Sequence, residues 1–203
     1  VQPGPVAMEL FRDQFGHDPE GLWFAPGRAN LMGEHTDYNQ GFVLPFALAQ
    51  GAAAAAARRS DGMFAVCSRQ AMGQELAVPL DDLDPNAITG WRAYPAGVAW
   101  ALRQAGYELP GVSIAISSDV APGAGVSSSA ALECAVALAL TSLAGIDIAR
   151  PELAAIGRRA ENEFVGVPSG IMDQSASLLC QADHALLLDC ESQVSSQVPF
   201  DPA

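Results

Sequence analysis

Residues 112–143 combine a short apolar strand, a glycine- and serine-rich loop and the most apolar helical segment of the chain. The pattern predicts the strand over Val112–Ile116 and the helix over Ala130–Leu143. Glycines allow close approach of a ligand to the backbone, and the first turn of a helix offers N–H groups and positive dipole to an anion. The loop between the two elements therefore fits a phosphate. A serine cap on a buried helix is an equally good interpretation of this motif alone.

This loop is not a Walker phosphate loop, because G-x-x-x-x-G-K-[ST] is absent and the chain contains no lysine. Its three consecutive serines, Ser127–Ser129, carry hydroxyls that can donate to phosphate or bind Mg²⁺.

The charge balance excludes some partners. The 203 residues carry a formal net charge of -13, which argues against nucleic acid and anionic membranes, since both attract basic patches. The apolar run Gly51–Ala57 is too short to span a bilayer, and the N-terminus shows no secretory signal pattern. We expect a globular cytoplasmic protein. Its four scattered cysteines are expected to be buried reduced thiols, with a metal or disulfide role as the alternative.

The other elements are mixed. Alanine propensity favours a helix over Gly51–Ala57, whereas the Ser-Asp-Gly turn before Met63–Ser68 favours a hairpin, and we adopt the hairpin. Further helices are expected at Met8–Phe15, Trp91–Ala105, Arg150–Phe164 and Ile171–Leu179, and strands at Leu22–Phe24, Phe42–Leu48 and His184–Asp189.

Two further stretches carry reactive side chains. In "GRANLMGEHTDYNQG", residues 27–41, six polar residues follow one glycine and precede another, which suits neither core nor helix. In "RRAENEFVGVPSGIMDQSAS", residues 158–177, Asp173 begins a helix after a glycine- and proline-containing hinge. Taken alone, such a carboxylate is more often a helix cap than a catalytic group.

Together the three stretches resemble the galactokinase family, whose superfamily also contains homoserine, mevalonate and phosphomevalonate kinases. The resemblance runs from about Trp23 to Asp189. Pro122 lies one place closer to the glycines than in the family, Val126 replaces a leucine, and Ser169 stands where a cysteine is common. The resemblance implies an α+β fold, with helices packed on one face of a mixed sheet and a left-handed βαβ crossover.

The resemblance also implies a division of the chain. Residues 1–203 would form one N-terminal galactokinase-type domain, with the sugar signature at 22–48, the phosphate loop and helix at 121–145 and the catalytic segment at 158–180. The family's C-terminal domain would be absent from this chain, and the surface left exposed could cause self-association.

The activity implied is transfer of the γ-phosphoryl group of ATP to the anomeric hydroxyl of galactose, giving galactose 1-phosphate. Asp173 would take the hydroxyl proton, and Arg28 would be a cation beside it. A hexose needs fixed polar partners, because an unmatched buried polar group costs about 1–3 kcal/mol. The residues expected to contact the sugar are Glu34, His35, Thr36, Asp37 and Gly170.

ATP phosphates and Mg²⁺ would complete the site. The expected phosphate-binding residues are Gly123, Ala124, Gly125, Val126, Ser127, Ser128 and Ser129. Ser129 and Glu161 would bind Mg²⁺, with Glu163 as the alternative to Glu161. Three alternatives stay open: a sugar- and ATP-binding regulator without turnover, an N-acetylgalactosamine kinase, and an inactive half-enzyme.

Overall fold

The structure is a computed structural model that describes residues 2–121 and 125–200. Over these ranges the chain forms one mixed sheet, with strands β1 (Gly21–Asn30), β2 (Phe42–Val43), β3 (Pro45–Arg59), β4 (Met63–Ser68), β5 (Leu76–Pro79), β6 (Gly111–Ser118), β7 (His184–Asp189) and β8 (Ser195–Pro199). The helices are α1 (Pro3–Phe15), α2 (Ala93–Gln104), α3 (Ser128–Ala144), α4 (Arg150–Arg159) and α5 (Met172–Leu179). A π-helical turn, Ala160–Val165, continues α4.

The alanine-rich segment is the central strand, β3, as predicted. β1 pairs with it along one edge and β6 along the other, both antiparallel. The side chains of Ala52, Ala54 and Ala56 pack in the main core, and those of Ala53, Ala55 and Ala57 pack on the opposite face. Because both faces are covered here, the run Gly51–Ala57 is apolar at every position, and alternation cannot distinguish it from a helix.

The predicted hairpin is wrong in its pairing. β3 and β4 do not pair with each other, because β6 lies between them, antiparallel to β3 and parallel to β4. Gly111 enters the space between the two strands where β6 begins. A Cβ at this position would lie 3.0 Å from the backbone nitrogens of Gly62 and Met63 and 3.1 Å from the carbonyl oxygen of Arg59. β6 therefore begins so close to the connection between β3 and β4 that a side chain at Gly111 would press on its backbone.

The chain passes from β4 through β5 and α2 to β6, which makes a parallel crossover of the kind that the resemblance implies. Its left-handed sense stays a prediction. The α+β class and the mixed sheet are confirmed. α2, α3 and α4 pack on one face of the sheet, and α5 lies beside α3 and α4. In addition, α1 covers the other face through Leu10 and Phe11.

The predicted strand Phe42–Leu48 is divided between β2 and the beginning of β3. The other predicted helices and strands are present with shifted ends, and β5 and β8 were not predicted. Burial raises the pKa of Cys67 to about 12 and that of Cys180 to about 11. Cys67, Cys134 and Cys190 are buried, Cys180 is partly buried, and all four are free thiols, as expected. Within the described part of the chain, no helix combines the length and apolar character needed to cross a bilayer.

Candidate active site

Arg28 and Asp173, 145 positions apart, meet as an ion pair. Arg28 follows an irregularity in the pairing of β1 with β3, and Asp173 lies in the first turn of α5. The guanidinium Nε donates to Asp173 Oδ1 at 2.8 Å, and Nη2 lies 2.7 Å from the same oxygen. Their side chains are 14% and 26% exposed, so the pair is largely shielded from water. The contact predicted from the motifs is therefore present.

The glycine-serine loop packs against this pair. The Nη1 group of Arg28 donates to the carbonyl oxygen of Gly125 at 2.6 Å. The backbone N–H of Arg28 donates to the carbonyl oxygen of Val126 at 3.2 Å. A Cβ at Gly27 would lie only 2.7 Å from the same Val126 oxygen, so a glycine permits this approach. The loop, β1 and α5 thus converge on Arg28.

Ser127 is turned toward Asp173 and does not cap the helix. It precedes α3 with φ 55° and ψ 52°, and its side chain makes no cap hydrogen bond. Its hydroxyl donates to Asp173 Oδ2 at 2.5 Å. A non-glycine residue with positive φ is uncommon, and such strain is found preferentially at functional sites. The geometry therefore contradicts the simple capping interpretation of Ser127.

The structure describes some of the other expected phosphate-binding residues and not others. Gly123 and Ala124 lie outside the described residues. Gly125 and Val126 contact Arg28, and Ser128 opens α3.

Ser129 and Glu161 lie side by side where α3 meets the π-helical turn. The Ser129 hydroxyl donates to Glu161 Oε1 at 3.3 Å, and Glu161 is only 6% exposed. Glu163 instead pairs with Arg159 at 3.0 Å on the surface. As a partner of Ser129 in a Mg²⁺ site, Glu161 is therefore better placed than Glu163.

A hydroxyl and a carboxylate beside a phosphate-type loop suit Mg²⁺, which usually keeps waters and phosphate oxygens as its other ligands. No cluster of three or more acidic, histidine or cysteine side chains suitable for a metal occurs among the described residues. Two protein oxygen ligands, from Ser129 and Glu161, would suit a Mg²⁺ ion that binds together with a nucleotide.

The polar motif forms a loop held by its own hydrogen bonds. The Thr36 hydroxyl lies 2.8 Å from the carbonyl oxygens of both Gly33 and Phe42, so it closes the loop. This favours a role in loop shape over the expected sugar contact of Thr36. His35 adopts a φ of 62°, and its Nδ1 lies 2.5 Å from the hydroxyl of Tyr38.

Glu34 and Asp37 lie on the same loop. Glu34 Oε1 accepts a hydrogen bond from Asn30 Nδ2 at 3.0 Å. Asp37 packs directly on Gly170, where an added Cβ would lie 2.1 Å from Asp37 Oδ2. The Oδ1 atom of Asn162 accepts hydrogen bonds from the N–H and hydroxyl of Ser169, at 2.8 and 3.1 Å, and so fixes the segment before Gly170. The two expected sugar-contacting segments therefore meet.

Two buried residues in this region escaped the sequence analysis. Gln174 follows Asp173, and Glu133 is the one acidic residue in the highly apolar helix α3. The single acidic residue in an apolar helix was the feature of the sequence that could have identified Glu133. Burial, followed by the charge of Glu161, raises the pKa of Glu133 well above its usual range, although the hydrogen bond from Gln174 opposes the shift. Burial and the same two carboxyls raise the pKa of the Tyr94 phenol.

The chain is similar to known proteins over most of its length. Residues 9–58 match the galactokinase galactose-binding signature, and residues 93–181 match the GHMP kinases N terminal domain. Galactokinase from Streptomyces coelicolor is 50% identical over 195 residues, which cover 96% of this chain and 50% of that protein. Galactokinase from Exiguobacterium sibiricum is 43% identical, covering 95% and 50%.

The solved structure of Lactococcus lactis galactokinase complexed with galactose superposes with a TM-score of 0.91 at 33% identity, covering 98% of this chain and 52% of that one. Methanococcus jannaschii mevalonate kinase, at 18% identity and a TM-score of 0.72, shares the fold. The chain spans about half the length of the curated relatives it matches. On these grounds, the chain belongs to the galactokinase family of GHMP kinases.

Proposed function

We propose that the protein containing this chain transfers the γ-phosphoryl group of ATP to the anomeric hydroxyl of galactose, giving galactose 1-phosphate and ADP. The observation that carries the proposal is the convergence of Arg28, Asp173 and the glycine-serine loop. Phosphoryl transfer depends mainly on positioning and charge stabilisation, and this arrangement offers both.

Asp173 acts as the general base that accepts the proton of the anomeric hydroxyl. Arg28 orients the carboxylate through two N–H groups on Oδ1 and offsets negative charge that develops on the transferred phosphoryl group. The Arg28 side chain is in turn fixed by the carbonyl oxygen of Gly125, and its backbone by that of Val126, so it needs little reorganisation during the reaction.

Galactose binds between the polar loop and Gly170. Glu34, His35 and Asp37 supply acceptors and donors for its hydroxyls, and Thr36 keeps the loop closed behind them. Because Asp37 fills the space above Gly170, the sugar meets a carboxylate whose position is set by packing. An epimer would leave at least one of these polar groups unmatched.

Backbone N–H groups of the glycine-serine loop and the first turn of α3 hold the nucleotide phosphates. Ser129 and Glu161 would hold Mg²⁺, which when bound neutralises phosphate charge.

The chain corresponds to the N-terminal half of such an enzyme, and a C-terminal half would supply the rest of the cleft. The complete run Ser127–Ala131 after the loop favours a kinase over a regulator that binds without turnover. A cytoplasmic location stays a prediction.

The test is an ATP-consumption assay of the full-length protein with galactose, glucose, N-acetylgalactosamine and homoserine. Turnover should occur with galactose and not with glucose or homoserine, because the polar loop selects the sugar. Turnover of glucose at the same rate as galactose would contradict the proposal. A preference for N-acetylgalactosamine would identify the related amino-sugar kinase. Binding of galactose and ATP without turnover would identify a regulator.

A further inference from the structure

A chain of buried hydrogen bonds links α3, α5 and the π-helical turn behind the proposed magnesium ligands. Gln174 and Glu133 are both 0% exposed. The Nε2 group of Gln174 donates to Glu133 Oε2 at 3.1 Å and to Glu161 Oε2 at 2.9 Å. The other carboxylate oxygen of Glu161 accepts from Ser129. Gln174 therefore uses both of its N–H groups to connect a completely buried acid with the acid at the site.

Two side-chain atoms in this series of buried hydrogen bonds lack partners among the described residues. Both Glu133 Oε1 and Gln174 Oε1 are buried without a hydrogen bond. Two buried acceptors cannot satisfy each other, and each unsatisfied polar group costs about 1–3 kcal/mol. A buried amide oxygen such as Gln174 Oε1 requires a donor, and a protonated Glu133 would carry an O–H group of that kind.

Packing limits where the Gln174 side chain can go. Gly157 of α4 faces it, and a Cβ at that position would lie 3.1 Å from Gln174 Cγ. The amide is therefore confined between α4 and the buried acid. Because Gln174 adjoins Asp173 in α5, the same helical turn carries the proposed base and the group that contacts Glu161.

We propose that Gln174 and Glu133 are positioning residues that together fix the carboxylate of Glu161 beside Ser129. Glu133 holds the amide, and the amide orients Glu161. This inference rests on the proposed function for the role of Glu161 toward Mg²⁺. Groups that orient metal ligands typically contribute about 10- to 100-fold to metal affinity.

The test measures Mn²⁺ binding to the full-length protein by electron paramagnetic resonance, with the non-hydrolysable nucleotide AMP-PNP present. Gln174→Met keeps the length of the side chain and removes both N–H donors. We expect it to weaken Mn²⁺ binding by about 10- to 100-fold. Galactose affinity, and AMP-PNP affinity in excess EDTA, should be unchanged. Undiminished Mn²⁺ affinity in a folded Gln174→Met protein would overturn the proposal.

Substitutions at Glu133 provide a second readout. Glu133→Gln keeps an acceptor oxygen for the Gln174 amide, so it should bind Mn²⁺ as the wild type does. Glu133→Met has a similar volume without a comparable acceptor and should lose Mn²⁺ affinity as Gln174→Met does. If Glu133→Gln loses as much as Glu133→Met, an acceptor at position 133 does not hold the amide, and this part of the proposal is wrong. Because these variants keep the side-chain volume, they decide the matter even if Gln174→Met does not fold.

Thr141→Val is the matched control. Thr141 is also buried in α3, and among the described residues its hydroxyl bonds only to backbone carbonyls of that helix. This variant should lower the melting temperature slightly and leave Mn²⁺ affinity intact. An equal loss of Mn²⁺ affinity in Thr141→Val would contradict a specific role for Gln174. None of these measurements requires galactose turnover, so a failure of the proposed function would be seen separately.

Discussion

At the scale of single residues, Asp173 has a different partner on each carboxylate oxygen. Arg28 binds Oδ1, and the hydroxyl of Ser127 binds Oδ2. A simple helix cap would instead accept from backbone N–H groups of its own helix. The position of Asp173 therefore supports the role of a base over that of a cap.

Asp173→Asn should lower galactose turnover by at least about 100-fold, because the amide cannot accept the hydroxyl proton. Galactose affinity should stay close to that of the wild type, since the polar loop is unchanged. Steady-state kinetics and calorimetric galactose binding would measure the two effects. Asp147→Asn, at an exposed position, is the control and should behave as the wild type does. Wild-type turnover in Asp173→Asn would show that the residue is not the base.

Gly170→Ala should impair sugar use through Asp37. The added Cβ would meet Asp37 Oδ2 at 2.1 Å and Asp37 Cβ at 2.8 Å, so the whole side chain must move. A displacement of about 1 Å at a reacting site can cost about 100-fold in rate, and we expect kcat/KM for galactose to fall by about 10- to 100-fold. The KM for ATP should change little. An unchanged kcat/KM for galactose would separate Asp37 from sugar binding.

Residue chemistry near the site could be predicted from the sequence because the motifs are contiguous. Glu34, Asp37 and Asp173 each lie in a recognisable stretch. The partnership of Gln174 with Glu133 and Glu161 could not be predicted, because these residues are 41 and 13 positions apart from Gln174 and no local pattern connects them. Only the folded arrangement brings them together.

At the scale of elements, periodicity located most helices, and the failures have physical causes. The apolar run in β3 is buried on both faces, so its composition fits a strand or a helix. The turn at residues 60–62 indicated a reversal of direction, which is correct. It could not show that β6, about fifty residues later, would enter between the two strands, because strand order depends on non-local pairing.

Gly111→Ala should destabilise this insertion. The new methyl group would press on the backbone of Gly62, Met63 and Arg59, which cannot rotate away as a side chain can. We expect a loss of about 1–3 kcal/mol in the free energy of unfolding, measured by urea denaturation. Gly4→Ala is the control, because its Cβ would meet only the end of the Leu22 side chain, at 3.0 Å. If the two variants are equally stable, the insertion tolerates a side chain at Gly111.

At the scale of the whole molecule, apolar side chains are exposed next to the proposed sugar site. Met32, Tyr38 and Phe42 are 65%, 56% and 63% exposed. Exposed apolar patches near a site often mark an interface. Since the chain spans about half of its relatives, this surface is our candidate contact for the other half.

The purified chain on its own should fold cooperatively but turn over galactose far more slowly than the full-length protein. If the other half of the protein forms one wall of the cleft, its removal would open the site to water and weaken electrostatic stabilisation. It should also self-associate as concentration rises. Thermal melting, light scattering and a galactose-dependent ATP assay would test each point. Full turnover by the isolated chain would show that this chain contains everything the reaction needs.

The hydrogen bond between Ser127 and Asp173 bears on how much ATP the protein hydrolyses without a sugar acceptor. A kinase must avoid activating water in place of its acceptor, because that reaction wastes ATP. The oxygen of Asp173 that Arg28 leaves free accepts a hydrogen bond from the Ser127 hydroxyl, at 2.5 Å. Water entering the cleft must compete with a tethered hydroxyl for the base. Ser127→Ala should therefore raise sugar-independent ATP hydrolysis, and the serine would act as a brake that only a correctly held sugar releases.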